Sequence, residues 1–145
     1  MDDGYKLVHH KIDDDHFFWE LATTEAALSS FEKMVRDKKN SSVAVNLVNQ
    51  VKRILDYGVE VSCRTNKLRK INQVPGLYEI KGYAGNKREM AYVLCEKPPE
   101  IVFLFQFDGH QGSGNVHREI AKARPLVCAA SSLLKKELSG KDEGE

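Results

Sequence analysis

Three cysteines, four prolines and one tryptophan are all that this chain of 145 residues holds of those types. Cys63, Cys95 and Cys128 are odd in number, widely spaced and form no C-x-x-C pair. That pattern excludes a disulfide framework and leaves three free thiols, the usual state in a reducing compartment. No apolar run approaches the ~18 residues that a membrane-crossing helix needs. Residues 2–15 are acidic and lack an apolar stretch after a basic start, so no signal peptide is expected, and the expected location is cytoplasmic. Charge of one sign is missing too: the net charge is +1, and by itself this argues against an avid nucleic-acid binder. Internal repeats and low-complexity segments are absent.

What is there is ordinary globular material, 41% hydrophobic and 30% charged. At this length a single domain buries roughly two-thirds of its unfolded surface and needs neither metal nor disulfide to hold together. The charge is unevenly placed. Residues 1–15 hold five Asp and two Lys, a net −3, and the last five residues, KDEGE, carry −2, so residues 16–140 carry +6. A basic body with acidic ends suits a polyanionic partner, although many ordinary domains have the same charge. The expected organisation is an acidic extension over 1–15, one domain over 16–138 and an acidic tail over 139–145.

Along the chain, Tyr5 to Ile12 alternates briefly between acidic flanks and reads as an edge strand or, preferably, as a leader outside the fold. His9 and His10 point to opposite sides of an extended chain, which favours a solvated pair over a metal site. The aromatic run Phe17 to Ala22 reads as a strand. Thr23 or Thr24 then caps a helix over 24–38 whose apolar positions are Ala27, Leu28, Phe31, Met34 and Val35. Ser41 or Ser42 caps a second, over 43–57, with Val43, Leu47, Val48, Val51, Ile54 and Leu55 at helical spacing and Gly58 suited to its C-terminal end. After the turn Val74-Pro75-Gly76, strands are expected over 77–83, 88–95 and 101–107, the last nearly continuous in apolar residues and so buried on both faces. A glycine-rich loop over 108–115 leads to a terminal helix that Pro125 kinks or splits. The sum is β-α-α-β-β-β-α. Trp19, Phe103, Phe105 and Phe107 are assigned to the core, while Cys128, alone on the last helix, lacks the setting of a nucleophile and is read as the small buried hydrophobe that such a residue more often is. Tyr78 and Tyr92 are core aromatics or stacking platforms for bases.

Three pieces of sequence then take on a further meaning. They are Leu68-Arg-Lys-Ile followed by Val-Pro-Gly-Leu-Tyr-Glu-Ile-Lys81, Gly85-Asn-Lys-Arg-Glu-Met-Ala-Tyr92, and Ile101-Val-Phe-Leu-Phe-Gln-Phe107 with His117-Arg-Glu-Ile-Ala-Lys-Ala123. In order and spacing they resemble the RelE/ParE toxin superfamily, particularly its HigB and phage-derived Gp49-like branch, over about residues 16 to 125. The resemblance implies an α+β fold: an N-terminal strand and a helical hairpin packed on a small antiparallel meander sheet, with a C-terminal helix. It implies a ribosome-dependent endoribonuclease that cleaves messenger RNA without a cofactor, its partners being a cognate antitoxin, the ribosome and the message. In such a reaction a ribose 2′-OH attacks the adjacent phosphate, which requires a base, cations for the charge developing on phosphate, and an acid for the leaving oxygen.

Residue by residue, the resemblance places Arg88 on a phosphate-gripping arginine and Lys81 on a strand cation of the catalytic group. Lys67, Arg69 and Lys70 form a loop cluster able to track an RNA backbone, or simply a solvated loop. The family usually has a pair of cations after the third meander strand, where this chain has Asp108-Gly-His-Gln-Gly-Ser-Gly. His110 and His117 stand in that segment as replacement acid and base, imidazole titrating near neutrality. Their spacing with Asp108 fits no strong metal-ligand pattern, so no metal is assigned. Other readings stay open: a lapsed member acting as a binding module, a ParE-like gyrase poison, or an unrelated role on the same scaffold.

Overall fold

The computed structural model describes residues 4–109 and 113–143. Six strands form one sheet: β1 (Tyr5–Lys11), β2 (Phe17–Thr23), β3 (Leu68–Lys70), β4 (Leu77–Ile80), β5 (Lys87–Leu94) and β6 (Glu100–Asp108). Their order is β1-β2-β6-β5-β4-β3. Neighbours run antiparallel except β2 and β6, which pair in parallel through Trp19↔Val102 and Glu20↔Phe103. The α+β class holds, while the small antiparallel sheet is corrected to a six-stranded mixed one. Four helices are described, α1 (Ser30–Arg36), α2 (Ser41–Tyr57), α3 (Val59–Arg64) and α4 (Ser113–Glu143). No helix is long and apolar enough to cross a membrane among the described residues.

The sheet separates two cores. Leu47, Val51 and Ile54 of α2 and Phe31 of α1 pack with Phe18, Ile80, Ala91, Val93 and Phe103 on one face. Ile120, Ala123, Val127, Ala130 and Leu134 of α4 pack with Trp19, Leu77, Met90, Val102 and Leu104 on the other. This is the period-2 alternation of strands meeting the helical period twice, and it explains why β6, central and covered on both sides, is nearly continuous in apolar residues. A β-bulge at Met90/Ala91 inserts Leu104 into β6, since Met90 faces Phe105 and Ala91 faces Phe103. Beyond it, Phe105 and Phe107 join the α4 face and Gln106 lies opposite Glu89 on the α1 face.

Several expectations need correction. Residues 5–11 are a full edge strand, not a leader outside the fold. Tyr5 and Leu7 pack onto the α4 core, His9 stacks on Phe17 at 5.0 Å, and His10 stacks on Phe18 at 4.9 Å. The first helix starts at Ser30, not at Thr24, because Ser29 and Glu32 form a capping box. Residues 59–64, without an expected element, continue as α3 after Gly58, whose φ of 90° turns the chain. The terminal helix runs unbroken through Pro125 to Glu143, so residues 139–143 extend a helix.

Candidate functional site

The three strands at one side of the sheet bring an acidic side chain between two arginines. Arg69 on β3 lies opposite Glu79 on β4, which lies opposite Met90 on β5, and Arg88 sits two residues from Met90 on the same face. Glu79 is buried, and its Oε2 accepts from Arg69 Nε at 3.2 Å and Nη2 at 2.9 Å. Its Oε1 pairs with Arg88 Nε at 3.2 Å. Two guanidinium groups on one carboxylate leave a local charge of about +1. Arg88 is further held by its own turn, Nη1 donating to the carbonyls of Gly85 at 3.1 Å and Lys87 at 2.9 Å. Its other terminal nitrogen, Nη2, meets no acceptor among the described residues.

Gly109 closes against this arginine. A Cβ there would lie 3.1 Å from Arg88 Cγ and Nε, and the Gly109 amide donates to Asn86 O. Gly109, the first residue after β6, therefore lies directly over the Arg88 side chain. His110 lies outside the described residues. His117 is on α4 and exposed. Asp108, which stands where the resemblance implies cations, is exposed and pairs with Lys87 at 3.6 Å.

Lys81 and Lys67 form a second basic point at the same end of the sheet. The Lys81 amide donates to Lys67 O at 2.9 Å, and Lys81 Nζ donates to Asn66 Oδ1 at 3.0 Å. Gln50 of α2 fixes this corner by donating to Lys81 O at 3.0 Å. The loop cluster expected of Lys67, Arg69 and Lys70 is thus divided. Lys67 stands beside Lys81, Arg69 is committed to Glu79, and Lys70 borders an open groove lined also by α4. Tyr78 and Tyr92 are 5% and 7% exposed, so they are core residues and not stacking platforms.

Sequence reasoning missed Glu79 and a second buried acidic group. On the α1 face, Glu20 accepts from His10 Nε2 at 2.8 Å and from the Phe31 amide at 2.9 Å. Glu89 lines the same small cavity of about 20 Å³ and pairs with no cation among the described residues. Burial, helped by the nearby Glu20, raises the Glu89 carboxyl well above the usual carboxylate range. The visible signal was a charge at an alternating position inside an apolar strand: Glu20 in FFWELA, Glu79 in LYEI and Glu89 in REMAYV. His16 carries a third acidic cluster, meeting Asp56 at 2.6 Å and Asp13 at 2.7 Å. Asp56 first and Asp13 second raise its pKa, while His16 lowers that of Asp13. No family model, curated protein or solved structure matches the chain.

Proposed function

We propose that the chain is a messenger-RNA endoribonuclease of the RelE/HigB toxin kind, acting on the ribosome and silenced by a cognate antitoxin. The observation that carries this reading is the setting of Arg88. Its guanidinium is locked by Glu79 and two carbonyls, keeps Nη2 unengaged among the described residues, and lies against Gly109. A preorganised planar donor can carry the charge developing on phosphate, and the sequence offers His110 and His117 as the acid and base that the transfer also requires. Lys67 and Lys81 at the same end of the sheet extend the positive surface along which a message would lie.

A second reading, RNA binding without cleavage, is favoured by one observation. Asp108, paired with Lys87, occupies the position where the resemblance implies cations. Induction of the chain in a cell separates the two. The cleavage reading expects arrested growth with new 5′ ends inside translated messages, and relief of both by Arg88→Lys, which keeps a charge for Glu79 but loses the planar fork. Normal growth and intact messages on induction of the unaltered chain would overturn it in favour of binding.

A further inference from the structure

A groove of about 960 Å³ opens between the second half of α4 and the end of the sheet where β4 begins and β5 finishes. Its apolar floor includes Val74, Tyr92, Leu94 and Val127, and its charged members are Lys70, Arg124 and Lys135. No acidic side chain lines it, and none of the three cations has an acidic partner among the described residues. Arg124, Cys128, Ser131 and Lys135 follow one another at spacings of four, three and four, so they form a single stripe along α4. Eleven residues of helix separate the stripe's two cations by about 16 Å.

We infer that this groove docks an acidic amphipathic helix from another polypeptide. The three positive charges without a counter-charge set the sign of the partner. Their spread along three turns of α4 fits an elongated polyanion better than one phosphate or carboxylate group, which needs converging donors. A mostly apolar floor with buried tyrosine rings offers an aliphatic face to pack on and no aromatic platform on which bases would stack, so a protein segment fits and single-stranded RNA does not. β4 and β5, which floor the groove, are each paired on both sides, so they present no free edge to a strand. A helix satisfies its own backbone and presents apolar residues at i, i+3 and i+4 with acidic ones beside them. About eleven residues of such a helix span the stripe. The inference does not depend on RNA cleavage, because the groove shares no residue with the Arg88 corner.

The test is a selection from displayed random 16-residue peptides on the immobilised full chain, followed by anisotropy titration of the enriched sequences. Two variants accompany it: the triple Lys70→Glu, Arg124→Glu, Lys135→Glu, and Ser131→Trp, which fills the groove without changing its charge. Enriched peptides should be acidic and amphipathic, and each variant should weaken their binding at least ten-fold while its melting temperature stays within a few degrees. Should the triple variant fail to fold, Ser131→Trp decides alone. Neutral or basic winners, or acidic winners that bind both folded variants unchanged, would overturn the inference. A labelled 16-nucleotide single-stranded RNA should bind wild type and Ser131→Trp alike; if Ser131→Trp removes RNA binding and leaves the peptides unaffected, the groove is an RNA track instead. Loss of cleavage activity with peptide binding intact, or the reverse, distinguishes failure of the functional reading from failure of this one.

Discussion

Replacing Glu89 by Gln removes an ionisable group whose proton affinity burial raises, and the consequence can be worked out in advance. Glu89 is buried on the α1 face beside Glu20, whose own oxygens are engaged by His10 and the Phe31 amide. Gln106, opposite Glu89 in the sheet, gives its side-chain amide to Tyr83 Oη at 3.0 Å. The carboxyl therefore has a raised pKa in the fold, against about 4.3 in an unfolded chain. Between those values the unfolded chain has lost the proton and the folded chain keeps it, so unfolding releases a proton. Stability then falls as pH rises, by about 1.4 kcal/mol per pH unit, and stops falling above the folded pKa. Glu89→Gln has no such loss. Urea unfolding followed by circular dichroism at pH 4, 5, 6, 7 and 8 should give nearly equal stabilities at pH 4. The variant's advantage should then widen toward that slope, with unchanged m-values. Parallel stability curves for the two proteins, or an advantage that shrinks with pH, would refute the burial argument.

Glu79→Ala leaves Arg88 and Arg69 facing an emptied pocket. Breaking a buried pair costs ~3–5 kcal/mol, but Arg69 is 47% exposed and can return to water. The expected loss is about 2–3 kcal/mol, or ~6–10 °C at this size, read by thermal melting. Gly76→Ala places a Cβ 2.6 Å from Tyr92 Cε1 at a residue with φ of 84°, and should cost about 2–3 kcal/mol by the same assay. His16 contributes stability fully present below about pH 6.5 and lost as pH rises through its raised pKa. His16→Ala should therefore destabilise more at pH 6 than at pH 9, in paired urea titrations.

How much was legible depended on how local the cause was. α2 announced itself through Leu47, Val51 and Ile54 at helical spacing and through Gly58 after its last turn. β6 did so through an apolar run that only a strand covered on both faces explains. The capping box at Ser29 and Glu32 was written in the sequence, but Thr23-Thr24 offered an equally good cap five to six residues earlier. β1 was hidden because Lys6, His9 and His10 interrupt its apolar pattern, and what completes it is pairing with β2 and ring contacts to Phe17 and Phe18. α3 was hidden because Val59, Val61 and Cys63 alternate like a strand. The parallel pairing of β2 with β6 joins segments about 80 residues apart, and no local pattern encodes it. At the site, Arg88 and Lys81 were legible one at a time. That Arg69 would share Glu79 with Arg88, with Lys70 on the opposite face of the sheet, follows from strand register, which a one-residue shift would reverse.

The central claim is cleavage of a message through the Arg88 corner. Its most direct measurement is primer extension on a defined message bound to purified ribosomes, with added wild-type protein, Arg88→Lys and the double variant His110→Ala, His117→Ala. The account predicts a discrete new 5′ end with wild type. It also predicts a rate lower by ~10²–10³ for Arg88→Lys and by ~10²–10⁴ for the double histidine variant, with all three proteins folded. It further predicts no cut where a 2′-deoxynucleotide precedes the scissile phosphate. An uncut message with wild type, or a cut that survives the 2′-deoxy substitution and the Arg88 variant alike, would contradict it.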